Sequence, residues 1–343
     1  MLAAAALVSL CAAVTLVDFL WTPAAPSAAA VASGKLNPDA WPRDALTIAN
    51  LGHATLLMDY FGVRVISDPT LFNRVGLSLG GIVTIGPRRM VAPPLEPAAL
   101  QNLDVLLITH AHMDHLDIPS LAALPKTAVV VACTGCGDLI RPLGFKDVRE
   151  LKWGESTVID GLSVTALGAR HWGKRWPYGH DYGFNSYLLA RNGHRMLLAC
   201  DSAMTSLFAP LAANPPEIAA FSVGAYDPWI WNHANPEQVW RMFTQTGAQY
   251  LIPIHWGTFR LSKEPPDEPL RRLIAAAGPN AGRIVMRQIG TAWTLPDDAS
   301  KHAGADPLLA GQRSPFRENP LTHPRRFGAI FRWAKTDLDK VLP

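Results

Sequence analysis

From residue 45 onward, apolar residues come in short runs broken by turn residues, a rhythm that predicts many strands and few long helices. A-L-T-I-A-N-L-G-H-A-T-L-L-M-D-Y leads to a turn at Phe61-Gly62 and returns as V-R-V-I-S-D-P. This reads as a hairpin, and His53 and Asp68 close the unit. Further apolar runs predict strands at residues 105–108, 128–131, 148–151, 162–167, 195–199, 218–223 and 250–254, and residues 283–295 read as a closing strand pair. The predicted helices are short, over residues 119–124, 138–143 and 268–277, with one more that starts where Asn235 can cap Pro236 and runs to about Thr246. Two strand-rich halves, residues 45 to about 170 and about 180 to 295, suggest two mixed sheets packed face to face with helices outside. Two stretches break the rhythm. Residues 72–102 are rich in Gly and Pro, and a loop of that length in a compact domain is usually functional. It is expected to form one wall of a substrate cleft, with Arg88 and Arg89 turned toward an anionic group. H-W-G-K-R-W-P-Y-G-H-D-Y-G, beginning at His171, is expected to be a lid or a second wall.

Composition narrows the class. With 343 residues, 49% hydrophobic and a mean hydropathy of +0.10, the chain can bury a substantial core, which excludes a disordered protein. The net charge of +3 is mild and no dense Lys/Arg run crosses the middle of the chain, so no nucleic-acid partner is indicated. Residues 2–17 are almost wholly apolar, which suits the hydrophobic region of a signal peptide better than a bilayer span. No Lys or Arg precedes Lys35, however, so an uncleaved anchor or a misread start is an alternative. The expected organisation is a leader or membrane anchor with a Pro/Ala/Ser spacer over residues 1–35, a hydrolase domain over 36–297 and an extension over 298–343. The protein is expected to be exported to the periplasm or membrane-anchored, or cytoplasmic if the start is misread. In the extension, R-R-F-G-A-I-F-R-W-A-K interleaves basic and aromatic residues, so membrane association joins the expectations. Cys133 and Cys136 have C-x-x-C spacing without a second pair to complete a thiolate zinc site; a disulfide and an incidental pair both stay open. No particular oligomeric state is indicated.

The chemistry concentrates in T-H-A-H-M-D-H-L-D, residues 109–117, directly after the apolar run Val105–Ile108. A short turn after a buried strand can point alternate side chains into one cavity, so His110 and His112 can share one cation while Asp114 and His115 reach a second. Imidazole and carboxylate without thiolate suit zinc or a similar divalent ion. The H-x-H-x-D-H string resembles the signature of the metallo-β-lactamase superfamily, and His171, Asp201 and His255, each just beyond a predicted strand, match that family's remaining ligands. I-G-P-R-R, H-L-D, H-W-G-K-R, G-A-Y-D-P-W, N-H-A-N-P-E-Q-V and I-H-W-G-T-F are similar to the N-acylphosphatidylethanolamine-hydrolysing phospholipase D group and its lactonase-like relatives. Met113 stands where that phospholipase has an aromatic, and Cys200-Asp201-Ser202 where it has Gly-Asp-Thr.

The resemblance implies an αββα sandwich of two mixed β-sheets flanked by helices, with two Zn2+ or other divalent transition-metal ions at the edge between the sheets. It implies that His110, His112 and His171 hold one ion and Asp114, His115 and His255 the other, with Asp201 bridging, so that a shared water is hydroxide at neutral pH. Asp114 and His233 are the catalytic candidates. His233 is not needed as a ligand and so is free to stabilise an oxyanion or protonate a leaving group. His53, Asp68 and Asp117 are expected to orient metal ligands from outside, and Arg88, Arg89, Trp172 and Tyr226 to touch substrate. The expected substrate is a phosphodiester, either a phospholipid or a small molecule. A lactone or other carboxylic ester is the alternative within the fold, and a non-catalytic metal-binding envelope protein the alternative of another class. A redox di-iron role fits less well, because such relatives have Glu where this chain has His112.

Overall fold

The computed structural model of the chain describes residues 36–79, 83–176 and 179–297, so the expected leader and C-terminal extension lie outside the described residues. The strands are β1 (Leu46–Gly52), β2 (Thr55–Tyr60), β3 (Val63–Ser67), β4 (Leu77–Leu79), β5 (Val83–Ile85), β6 (Val105–Ile108), β7 (Val129–Cys133), β8 (Asp147–Leu151), β9 (Ser156–Ile159), β10 (Leu162–Leu167), β11 (Ser186–Arg191), β12 (His194–Cys200), β13 (Ile218–Ser222), β14 (Tyr250–Ile254) and β15 (Ala292–Thr294). The helices are α1 (Ile118–Ala123), α2 (Gly137–Ile140), α3 (Pro236–Thr246) and α4 (Glu268–Ala277). Among the described residues no helix is long and apolar enough to cross a membrane.

Two sheets carry the fold. One has the order β15-β1-β2-β3-β6-β7-β8 and the other β14-β13-β12-β11-β10-β9. Both are mixed: β3, β6, β7 and β8 run parallel, as do β12, β13 and β14, and the other pairs are antiparallel. Strand residues alternate between two buried faces. Val105 and Leu107 of β6, Leu162 and Val164 of β10, and Met196 and Leu198 of β12 share the core between the sheets. Their neighbours Leu106 and Ile108 pack outward with Leu121 of α1 and Ile140 of α2, whereas Leu197 and Ala199 pack outward with Phe243 of α3 and Leu273 of α4. Burial on both faces makes these strands near-continuous apolar runs, and it leaves helices covering both outer sides: the αββα sandwich.

Local sequence explains the clearest boundaries. Asn235 Oδ1 accepts from Gln238 N at 2.9 Å and Gln238 Oε1 accepts from Asn235 N at 3.1 Å, a capping box, while Gly247 ends α3 with φ 74°. Val239, Met242, Phe243 and Thr246 fall on one face of α3 and are its buried side. Buried tyrosines tie the sheets together across the core: Tyr60 Oη donates to Leu189 O, and Tyr187 Oη donates at 2.8 Å to Ile108 O, at the end of β6.

The structure departs from the sequence reading in four places. The expected hairpin over 45–67 is three strands, because Gly52 (φ 99°) and His53 (φ 56°) turn the chain between β1 and β2. The expected loop over 72–102 contains the small β4–β5 hairpin. The expected strand pair over 283–295 is β15 alone, because residues 284–291 cross from the edge of one sheet to the edge of the other. Val285 N donates to Leu251 O in β14, then Gly290 N to Asn50 O in β1, which leaves no neighbour for a hairpin. Finally, the sheets do not follow the two halves of the chain: β9 and β10 precede residue 170 yet belong to the second sheet, and β15 returns to the first.

Candidate metal centre

The chain bends sharply as several strands end on one edge of the sandwich. The His53 turn follows β1, Asp68 follows β3, residues 109–117 follow β6, His171 lies four residues beyond β10, Asp201 follows β12, and His255 follows β14. His53, Asp68, Cys200, Ala225 and His255 all have positive φ without being glycine. Such conformations persist only where the surroundings impose them, and their clustering here marks a built site. The loops are stitched to one another: Asn185 N donates to Thr109 O, Ala203 N to Arg170 O, Arg170 N to Ser202 Oγ and His255 N to His53 O.

Two groups of donor atoms converge. His110 Nε2 lies 2.9 Å from His112 Nδ1, and His171 Nε2 lies 3.2 Å from both. Three imidazole nitrogens this close cannot all be satisfied by protons between them, whereas a cation at a metal–nitrogen distance of about 2.0–2.1 Å sets tetrahedral ligands roughly 3.3 Å apart. In the second group, Asp114 Oδ2 lies 3.0 Å from His53 Nε2, 3.4 Å from His255 Nε2 and 3.7 Å from His115 Nε2. Asp201 Oδ2 stands between the groups, at 3.0 Å from His115 Nε2, 3.4 Å from His255 Nε2, 3.8 Å from His110 Nε2 and 3.9 Å from His171 Nε2. His115 Nε2 and His255 Nε2 are buried without a hydrogen-bond partner; Asp201 is close to both but out of line for an N–H donor. Orphaned buried nitrogens cost about 1–3 kcal/mol each, and here they face one space. The donor set therefore fits two divalent ions that share Asp201.

Electrostatics agree with that fit. Burial lowers His110, His112 and His171 and pushes His53 and His233 down to about 3, so these imidazoles are neutral donors at pH 7. Burial also works against charge on Asp114 and Asp201, yet the surrounding histidines hold both carboxyls well below the usual range. His115 is the exception: against the effect of burial, Asp201 and the other acidic groups around it raise its pKa well above the ordinary value.

A surrounding layer fixes the rings. Asp68, fully buried, accepts from His115 Nδ1 at 2.9 Å, Thr109 N at 2.8 Å, Thr109 Oγ1 at 2.6 Å and Cys200 Sγ at 3.1 Å. It thereby fixes the ring of His115, a candidate metal ligand. His171 Nδ1 donates to Asn232 O at 3.0 Å, and Asp201 Oδ1 accepts from Ser222 Oγ at 2.5 Å. Sequence reasoning missed Asn232 and Ser222, since nothing in their spacing ties them to His171 or Asp201. His233 joins His171 and Asp201 in one donor cluster, its ring 5.2 Å from that of His171.

Several expected contacts fall elsewhere. Asp117 caps α1, accepting from Ser120 N at 3.1 Å and Ser120 Oγ at 2.5 Å, instead of orienting an imidazole. Arg89 is buried and donates to the carbonyls of Leu51, Thr70 and Val91, so it braces loops and does not face substrate. Arg175 donates at 2.8 Å to Ala111 O and to Leu116 O, clamping the metal-ligand loop. Tyr226 Oη, expected at the substrate, donates to Glu268 and accepts from Arg272. Arg88 is exposed on the strand bridge to Arg74. Trp172 does stand at the site: 41% exposed, it lies edge-on to His112 at 5.6 Å and meets Trp229, 44% exposed, at 6.2 Å. Trp176 and Trp231 are exposed on the same two loops. Cys133 and Cys136 are buried free thiols with their sulfurs 2.9 Å apart.

Comparison with known proteins bears on the family and the fold. A family model described as "Beta-lactamase superfamily domain" matches residues 71–256. An uncharacterized protein of Mycobacterium tuberculosis is 35% identical over 71% of this chain and 68% of its own. An N-acyl-phosphatidylethanolamine-hydrolyzing phospholipase D of Caenorhabditis elegans is 28% identical over 72% of this chain and 75% of its own. The crystal structure of a possible metal-dependent hydrolase from Veillonella parvula superposes with a TM-score of 0.60 at 20% identity, covering 73% of this chain and all of that one (100%).

Proposed function

Because this chain belongs to the metallo-β-lactamase superfamily as a metal-dependent hydrolase, we propose that it cleaves a phosphodiester in an amphiphilic substrate, in the manner of a phospholipase D, with two zinc ions. The observation that carries this reading is the pair of donor groups sharing Asp201 beside the exposed rings of Trp172 and Trp229. His110, His112 and His171 would hold one ion and Asp114, His115 and His255 the other, with Asp201 on both. Such ions supply water deprotonated at neutral pH and positive charge against the oxygens of the scissile group.

The protein's own groups do the rest. His233 is neutral and beside His171 and Asp201, so it presents an N–H to a developing oxyanion and adds no net charge. Asp114, held ionised among histidines, keeps the second donor group anionic. The tryptophan rings offer apolar area with a polar edge to a substrate that has both kinds of surface. The relative from Caenorhabditis elegans named for N-acyl-phosphatidylethanolamine hydrolysis supports the choice of bond.

One observation favours a lactone or other carboxylic ester instead. Arg89 and Arg175 are bonded to backbone carbonyls and are not spare cations for an anionic group. The test is kcat/KM for N-acyl phospholipids and simple phosphodiesters against a lactone series, with wild type and His233→Ala. We expect phosphodiesters to be preferred and His233→Ala to lower kcat while two ions stay bound. A lactone preference above tenfold, about 1.4 kcal/mol of transition-state binding, reverses the assignment. The apolar residues 2–17 support export or membrane tethering, and fractionation of a tagged full chain tests that part of the reading.

A further inference from the structure

His53 does more than the outer orienting role its sequence position suggests. It sits in the turn between β1 and β2, where φ is 56°. An L side chain in this left-handed region costs energy that Gly escapes. Two separate segments, residues 255–258 and 89–90, impose the conformation. His53 N donates to Thr258 Oγ1 at 2.7 Å, and His53 O accepts from His255 N at 2.8 Å. Arg89 Nη2 donates to Leu51 O, two residues before His53, at 2.6 Å, and Met90 N donates to Thr258 O at 2.8 Å. A turn needing only this backbone shape is served best by glycine, so the imidazole itself calls for an explanation.

The ring supplies one. It is 2% exposed, lies 3.9 Å from the ring of His255 and 5.3 Å from that of His115, and is backed edge-on by Phe259 at 5.2 Å. Its Nε2 is 3.0 Å from Asp114 Oδ2, and the donor atoms of His53, Asp114, His115 and His255 all lie within 4.8 Å of one another. The same hydrogen bond that fixes the His53 carbonyl fixes the amide of His255, so the two rings are placed as a unit.

We propose that His53 is itself a metal ligand, through Nε2, completing the group formed by Asp114, His115 and His255. This rests on the binuclear reading of the site. It makes the two positions unequal: one has three histidines and the shared Asp201, the other three histidines, Asp114 and the shared Asp201.

The test uses the full chain loaded with zinc, and separately with cobalt, as wild type, His53→Ala and His53→Gly. Glycine accepts the turn's φ without strain, so His53→Gly keeps the fold while removing the ring. Competition with a chromophoric chelator gives the affinity for each ion, and the visible d–d bands of the cobalt form report coordination. We expect wild type to hold two ions, and both variants to bind one of them at least tenfold more weakly with a changed cobalt spectrum. Added imidazole should restore both properties in His53→Gly. Affinities within twofold of wild type overturn the proposal. So does weakened binding with an unchanged cobalt spectrum, which reduces His53 to a hydrogen-bond donor that positions Asp114. Wild type that binds no ion overturns the metal reading itself, an outcome distinct from either.

Discussion

Replacing Asp68 by Asn tests whether the layer behind the ligands controls the site. The change keeps size and one acceptor, since Oδ1 can still take the amide of Thr109. In place of Oδ2 it puts an NH2 group facing His115 Nδ1, 2.9 Å away in the native protein. Thr109 Oγ1 can rotate and accept, but the imidazole N–H meets a donor and must either stay unpaired or move its proton to Nε2, the atom that faces the candidate second ion. Losing one buried hydrogen bond to a charged group costs about 1.5–3 kcal/mol of stability. The tautomer change removes a lone pair from the site, and the loss of such an outer partner typically lowers metal affinity about 10–100-fold.

Two measurements separate these effects. Urea unfolding in excess chelator gives the stability difference without metal, and chelator competition gives the affinity difference with it. The diagnostic control is Asp68→Asn in a His115→Ala background, where the tautomer no longer matters and the affinity loss should largely vanish. An affinity within threefold of wild type, or an equal loss in both backgrounds, refutes the argument that Asp68 acts through His115.

Two further substitutions address residues whose roles the structure reassigns. Arg89→Lys should cost about 2–4 kcal/mol in urea unfolding, because one ammonium cannot reach all three carbonyls that the guanidinium binds, and it should leave the ratio of kcat/KM for anionic and neutral substrates unchanged; a shift in that ratio would return Arg89 to the substrate. Asp117 is raised to about 6, chiefly by burial, so the folded state holds its proton more tightly than the unfolded chain does: its stabilising contribution is full below about pH 4 and is lost as pH rises through 6. Asp117→Asn, which keeps an acceptor for Ser120, should therefore raise stability at pH 8 by about 2–3 kcal/mol and by progressively less toward pH 4, a trend that unfolding at both pH values checks.

What the sequence disclosed and what it hid divide along a physical line. The apolar strands, the α3 start and the candidate ligands beyond β6, β10, β12 and β14 were legible as positions, because each depends on residues adjacent in the chain: a run buried on both faces, an Asn-Pro at a helix start, a histidine or aspartate where a strand ends. The roles of Arg89 and Arg175 were not, because they are set by carbonyls of Leu51, Thr70, Ala111 and Leu116, which reach those side chains only in the folded protein. His53 was half legible, since it could be read as a residue near the metal centre but neither its turn nor the return of the β14 end beside it could be. These hidden contacts alter the functional argument. With the two arginines committed to backbone, charge neutralisation at the scissile group would, on the proposed function, fall to the metal centre, which would serve a phosphodiester and a polarised ester carbonyl alike. Selection between them would then lie with the neighbours of the centre, His233 and the tryptophans on the loops after β10 and β13, where a change of side chain need not disturb a candidate ligand.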